Sequence, residues 1–441
     1  MRRALPLLLA LAGALRAQEA PRPWLEAGFE ERVRSEDWDD IIDHNDAKPD
    51  YRTHYRFRSR LWATLDPLPG LELAAGLCNE NRKTTRPSTY VYDGREVFFD
   101  TLYADYRFTP DWSVRAGRQN LMRGEGFVLM DGSSGDGSRS AYYNALVLKR
   151  SWGASTLEFL AIDDPKQDTW LPVVNKISDP AEQVRLNEWD ERALGLYATG
   201  RAGAATTLEA YWIFKEELDD YRPASNPLFR PDRRFHTLGA RAAAQFGQGW
   251  TATGEFAAQR GRQDALPGGA ARDVSAWGGY ARVLKTFDAP WKPRLSLGFT
   301  GLSGQDPHSG KITAWDPVFS RWPKWSELYL YSLVPENGVA YWSNMAMWEV
   351  EARCSPLPKL ELRATWYRLG ALEAPAAPSA QWGTGKRRGD LWEARADVTF
   401  SDALKGHALF EHLAPGDFYA GRDGGYFLRF ELTCTLKHRW F

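Results

Sequence analysis

From Tyr51 to Leu65 the chain changes character at every step. Tyr51, Thr53, Tyr55, Phe57, Ser59, Leu61, Ala63 and Leu65 hold the odd positions, and Arg52, His54, Arg56, Arg58 and Arg60 hold even ones. A period of two places these sets on opposite faces of an extended strand, whereas a helix would scatter both around its circumference. The pattern returns near the end of the chain. There Tyr426, Leu428, Phe430, Leu432, Cys434 and Leu436 face one way, against Phe427, Arg429, Glu431, Thr433, Thr435 and Lys437. Sixteen stretches between Leu25 and Phe410 read the same way, so eighteen strands are expected.

The connections have a rhythm of their own. Eight short turns, such as Asp66-Pro-Leu-Pro-Gly70 and Gly247-Gln-Gly249, alternate with nine long polar stretches, of which 302–340 is the longest. Eighteen antiparallel strands closed into a barrel require that ratio. The sidedness is that of a transmembrane barrel with short periplasmic turns and long extracellular loops. A soluble all-β propeller or sandwich would share the alternation. A propeller would also show a motif recurring about every 40 to 50 residues, and none recurs here. The fold class expected is therefore all-β, a single outer-membrane barrel over 21–441.

The N-terminus points to the same compartment. Arg2 and Arg3 precede an apolar run from Ala4 to Leu15, and Leu15-Arg16-Ala17 resembles a signal-peptidase site. Residues 1–17, or to about 20, are read as a signal peptide. The remaining sequence has no apolar run of about 18 residues that would form a spanning helix. It closes on Arg439-Trp440-Phe441, and its 20 Trp and 18 Tyr suit girdles at two membrane interfaces. With 56 basic and 57 acidic side chains there is no basic excess for nucleic acid. Three widely spaced cysteines (Cys78, Cys354 and Cys434) make no disulfide framework.

Facing the aliphatic sets toward lipid turns the charged sets inward. The expected pore lining is Arg52, Arg56, Arg58, Arg60, Arg107, Arg115, Arg241, Arg294, Arg363, Arg395 and Arg429, with Asp105, Glu349, Glu393, Asp397 and Glu431 among them. Unhydrated ions would cost several kcal/mol each, so such a lumen should hold water. Arg outnumbers Lys by 42 to 14. Arg is the side chain suited to carboxylates and phosphates, so an anionic passenger is expected. Pairing around the wall to stiffen it is the alternative role for each single Arg. Neutralising Arg56, Arg58 and Arg60 together should then lower anion preference. No HExxH or GxSxG occurs, and no enzyme, metal or cofactor is expected. The oxygens of Asp131-Gly-Ser-Ser-Gly-Asp-Gly-Ser138 could wrap Ca²⁺, but their spacing is not that of an EF-hand and a loop tip is the simpler reading.

Several short motifs resemble the alginate-export family of outer-membrane porins. They are Val114-Arg-Ala-Gly-Arg-Gln119 with Gly124, Asp131-Gly132, Ser138-Arg-Ser140, Trp315-Asp-Pro-Val-Phe319 with Trp322-Pro-Lys-Trp325, and Phe410-Glu-His-Leu-Ala-Pro-Gly-Asp-Phe-Tyr419. The resemblance implies an 18-stranded monomeric barrel whose Arg-rich pore passes an acidic polysaccharide, with periplasmic export proteins as possible partners. It also implies that Arg118 and Arg139 line the pore. Alternation instead puts Arg118 on the lipid face, unless a bulge turns it or it stands above the hydrocarbon. Two other functions fit the same barrel: uptake of oligosaccharides or small anions, and a structural or adhesive barrel with a plugged lumen.

Overall fold

A computed structural model describes residues 24–48, 50–88, 96–130, 142–166, 168–172, 174, 190–218, 231–265, 269–321, 325–337 and 341–440. The expected signal segment, the Asp131–Ser138 loop and Arg139 lie outside these residues. Eighteen strands follow one another in order. They are β1 (Trp24–Asp39), β2 (Arg52–Leu68), β3 (Leu71–Arg86), β4 (Val97–Arg107), β5 (Trp112–Gln119) and β6 (Tyr143–Trp152). Next come β7 (Ser155–Asp164), β8 (Asp190–Ala202), β9 (Thr206–Leu218), β10 (Arg233–Phe246), β11 (Trp250–Gln263) and β12 (Arg272–Thr286). After β13 (Arg294–Leu302) and the helix α1 (Leu328–Asn337) come β14 (Met345–Leu357), β15 (Leu360–Gly370), β16 (Arg387–Thr399), β17 (Leu404–Pro415) and β18 (Gly425–Trp440).

Each strand pairs antiparallel with its neighbours in sequence, and β1 pairs with both β2 and β18, so the sheet closes. Closure satisfies every ladder and leaves no open edge in lipid. All eighteen expected strands are present. Most run longer than the alternation alone marks, because their extracellular ends lose the apolar/polar contrast outside the hydrocarbon. Trp342, expected to open β14, belongs instead to the preceding loop.

The exterior is apolar in a way that water does not tolerate. Leu61, Leu238, Phe256 and Leu436 are each more than half exposed, among many similar side chains on every side of the barrel. Trp152, Phe246, Trp250, Trp291 and Phe400 stand near the short turns as one aromatic girdle. A continuous apolar exterior of this kind is the surface of a protein solvated by lipid, and the barrel is an outer-membrane one.

The interior is not uniformly wet. One hydrophobic cluster joins the inner wall of β6 to β13 (Tyr143, Val147, Leu160, Tyr211, Ile213, Phe235, Val274) to residues of two loops folded into the lumen. Leu121, Phe127, Val128 and Leu129 come from the β5–β6 loop, and Trp315, Val318, Phe319, Leu328 and Leu333 from the β13–β14 loop with α1. Phe127 stacks on Trp315 with centroids 5.2 Å apart, and Phe319 N–H donates to Val128 C=O at 3.0 Å. The same cluster takes in Trp38 of β1, Met347 of β14, Tyr367 of β15, Leu391 of β16, Leu413 of β17 and Phe427 of β18, so the lumen has a loop-packed section toward the extracellular ends of the strands and a polar wall nearer the short turns.

Candidate functional site: a loop-narrowed lumen with an arginine row

The polar wall of β13–β18 owes its order to register. In an antiparallel pair, residues directly opposite each other point to the same face. Arg294 on β13 lies opposite Arg353 on β14, Arg353 opposite Arg363 on β15, and Arg363 opposite Arg395 on β16. Arg395 then pairs with Leu409 on β17, and Leu409 with Arg429 on β18. Five arginines thus occupy one row across six strands. The strands are tilted, so the row climbs the wall. It starts at the periplasmic end of β13 and finishes close to the extracellular start of β18. Arg353 was not singled out in the sequence; it lies just past the point where alternation on β14 was followed.

Every rung has a carboxylate beside it. Arg294 pairs with Glu361, Arg353 with Glu351 (2.6 Å), Arg363 with Glu393 (2.6 Å) and Arg395 with Asp397 (2.7 Å). These four guanidinium side chains are 20% to 34% exposed. The top rung differs. Arg429 is buried between Glu36 (2.6 Å) and Glu327 (2.9 Å), the latter just ahead of α1. Glu411 on β17 accepts from Glu327 N–H (3.0 Å) and Leu328 N–H (2.6 Å), placing a carboxyl group at the positive end of α1. Ser326 Oγ accepts from Tyr329 N–H at 3.0 Å, as an N-cap does. The helix therefore sits over the upper end of the row.

Across the lumen an ion-pair latch holds the β13–β14 loop. Lys215 on β9 is fully buried and donates to Glu217 (2.7 Å) and to Val318 C=O (2.6 Å). Arg233 on β10 bridges Glu217 and Asp316, and Arg321 reaches Glu191. Tyr341 O–H donates to Asp316 at 2.7 Å; burial pushes this phenol well above its ordinary range, so it remains a donor. Gln259 grips the Asp316 backbone at both ends, donating to its C=O (2.8 Å) and accepting from its N–H (3.0 Å). Sequence reasoning missed this group. Lys215 and Glu217 lie on the β9 extension past Phe214, and Asp316 lies in a loop with no periodicity to read.

The expected pore residues divide by environment. Arg56 and Arg58 are sealed against Glu36 and Glu30, so the proposed test through them reaches buried pairs rather than a wet wall. Arg60 pairs with Asp100, Arg52 lies 5.1 Å over the Trp38 ring, and Glu431 holds Arg34. Arg241 pairs with Glu209 at 2.5 Å, and Glu349 accepts from Arg282 at 3.0 Å. Arg107, Arg115 and Asp105 line a chamber of about 650 Å³ beside Trp24, Pro69 and Gly70, at the periplasmic end. A second cavity of about 250 Å³ lies under the loops, bordered by Arg353, Arg363 and Trp342.

Arg118 does not line the pore. Its partners across the sheet are Leu102 and Asn144, on the same face as the exposed Leu146, and no register shift occurs in β5. Its guanidinium donates to Asp168 Oδ2 and Oδ1 at 2.6 and 2.7 Å and to Asn144 at 3.0 Å. It is buried on the outer face near the extracellular end of β5, beneath the β7–β8 loop. Alternation placed it correctly, and the reading from family resemblance did not.

Comparison with solved structures follows the same architecture. OccK2 (OpdF) of Pseudomonas aeruginosa, in complex with glucuronate, matches with a TM-score of 0.53 and 13% identity over 94% of this chain and 96% of that one. A BenF-like porin of Pseudomonas fluorescens matches at 0.55 and 12%, over 94% and 99%. OpdK of Pseudomonas aeruginosa, solved with vanillate, matches at 0.53 and 12%, over 94% and 99%. The fold is that of an outer-membrane porin. No protein-family model and no curated protein matches the sequence. The resemblance to alginate-export porins is overturned by these neighbours. Among the described residues of the motifs that carried it, Asp316 joins the latch, Phe319 joins the core, and Glu411 caps α1.

Proposed function

We propose that this barrel is a passive uptake channel for small carboxylate-bearing solutes. The observation that carries the reading is the in-register arginine row, which climbs the wall of a lumen already narrowed by two folded-in loops. A solute carboxylate offered a second partner at each rung exchanges weak charge-assisted hydrogen bonds without being trapped. The compensating acids keep each site shallow. The cavities have the size of small-ligand sites, which is consistent with a sugar acid or aromatic acid. Glucuronate and vanillate, each recorded with one of the similar porins, are carboxylates of that size.

The decisive experiment uses the refolded protein in proteoliposomes and planar bilayers. Glucuronate should enter faster than glucose at equal osmolarity, and the reversal potential across a salt gradient should show anion preference. In R353Q/R363Q/R395Q the acids Glu351, Glu393 and Asp397 lose their partners, so the preference should invert toward cations. Insertion without conductance, or unchanged selectivity in the triple variant, would overturn the reading.

A further inference from the structure

The extracellular end of β1 and the loop that follows it carry five Asp (39, 40, 43, 46 and 50) against one Lys. Lys48 Nζ lies 3.9 Å from Asp43, away from the remaining acids. Carboxylate oxygens of Asp39, Asp40 and Asp50 all fall within 4.8 Å of one another. A Ca²⁺ ion with oxygen ligands at about 2.4 Å spans that separation across its diameter.

An acidic cluster alone is ordinary on a surface. Here one member is not on the surface. Asp40 is 5% exposed, and its Oδ1 is buried with no hydrogen-bond donor. A buried carboxylate oxygen with no donor, beside two further carboxylates, lacks a positive partner. Asp50 is pre-set for the role. Its two oxygens accept from Asp40 N–H (2.6 Å) and Ile42 N–H (2.9 Å), fixing its plane while lone pairs stay available.

We propose that Asp39, Asp40 and Asp50 form a calcium site at the extracellular rim, which fastens the β1–β2 loop over the lumen. Filling it would lock the loop at the point where the other elements meet. Ile41 C=O accepts from Ser332 Oγ of α1 at 2.7 Å, and Asp423 N–H of the β17–β18 loop donates to His44 C=O at 3.1 Å. The ion therefore stiffens the roof to which the pore-capping helix is tied.

Terbium tests it, because Tb³⁺ occupies calcium sites and its emission is sensitised by a nearby indole, here Trp38. The refolded full chain, stripped with chelator, should show saturable Tb³⁺ emission competed by Ca²⁺ with an apparent Kd of about 10⁻⁴ to 10⁻³ M. Asp40→Asn should weaken competition at least tenfold, while Asp264→Asn, in the distant β11–β12 loop, should leave it unchanged. Should Asp40→Asn fail to fold, Asp39→Asn gives the same comparison. Amide exchange at Ile41 and Ile42 should slow in Ca²⁺ in the parent protein and not in the variant. Emission equal in parent and variant, or no calcium competition, would show nonspecific binding and overturn the site.

Discussion

Single residues show why alternation is a dependable guide to facing and a poor guide to partners. Arg118 was set outward by counting and remains outward in the barrel. What counting could not supply was Asp168, fifty residues away in a loop, which turns an outward arginine into a buried ion pair. Asp100 is the opposite case. The ladder between β3 and β4 skips it, pairing Gly76 with Thr101 and then Leu77 with Phe99. The extra residue bulges the strand and sends Asp100 inward to Arg60. Gly76 makes room for it, since a Cβ there would lie 2.3 Å from Asp100 Oδ1. Gly76→Val should therefore displace the carboxylate and cost about 1–3 kcal/mol, read as a lower urea midpoint for the refolded protein. An unchanged midpoint would mean that the pair tolerates displacement.

Among elements, strands were legible and the inward loops were not. A strand in a closed barrel needs only its neighbour in sequence, so a period of two and a turn suffice to place it. The β13–β14 loop makes long-range contacts with no period. One signal was present: Trp315, Val318, Phe319, Trp325, Leu328 and Tyr329 are too many apolar side chains for a loop standing in water. The latch that receives them shows its worth on removal. Arg233→Met leaves Glu217 and Asp316 buried without their shared cation, a change that typically costs about 3–5 kcal/mol. We expect the loop to open to protease near residues 316–321 while the barrel resists, with conductance rising. A loop still protected would show that Lys215 and Arg321 hold it unaided.

For the whole molecule, the loop-packed extracellular section of the lumen, above a polar wall, sets the scale of transport. An empty eighteen-stranded barrel would conduct freely, but here two loops fill much of the section. Replacing 305–341 by a short Gly/Ser linker should raise single-channel conductance severalfold and leave the strands intact by circular dichroism. Equal conductance would place the constriction elsewhere. Alternation marked the charged wall and left a plugged lumen as an alternative, because it describes the wall and is silent about what fills it. The pairing of β1 with β18 carries a consequence of another kind. Leu25 lies opposite Trp440, so the seam joins residues from the two ends of the described chain. Until the last strand arrives, the first strand is an exposed edge able to pair with the wrong partner. Closure must therefore wait for β18, and a chain cut short anywhere before it leaves an open ribbon instead of a smaller pore.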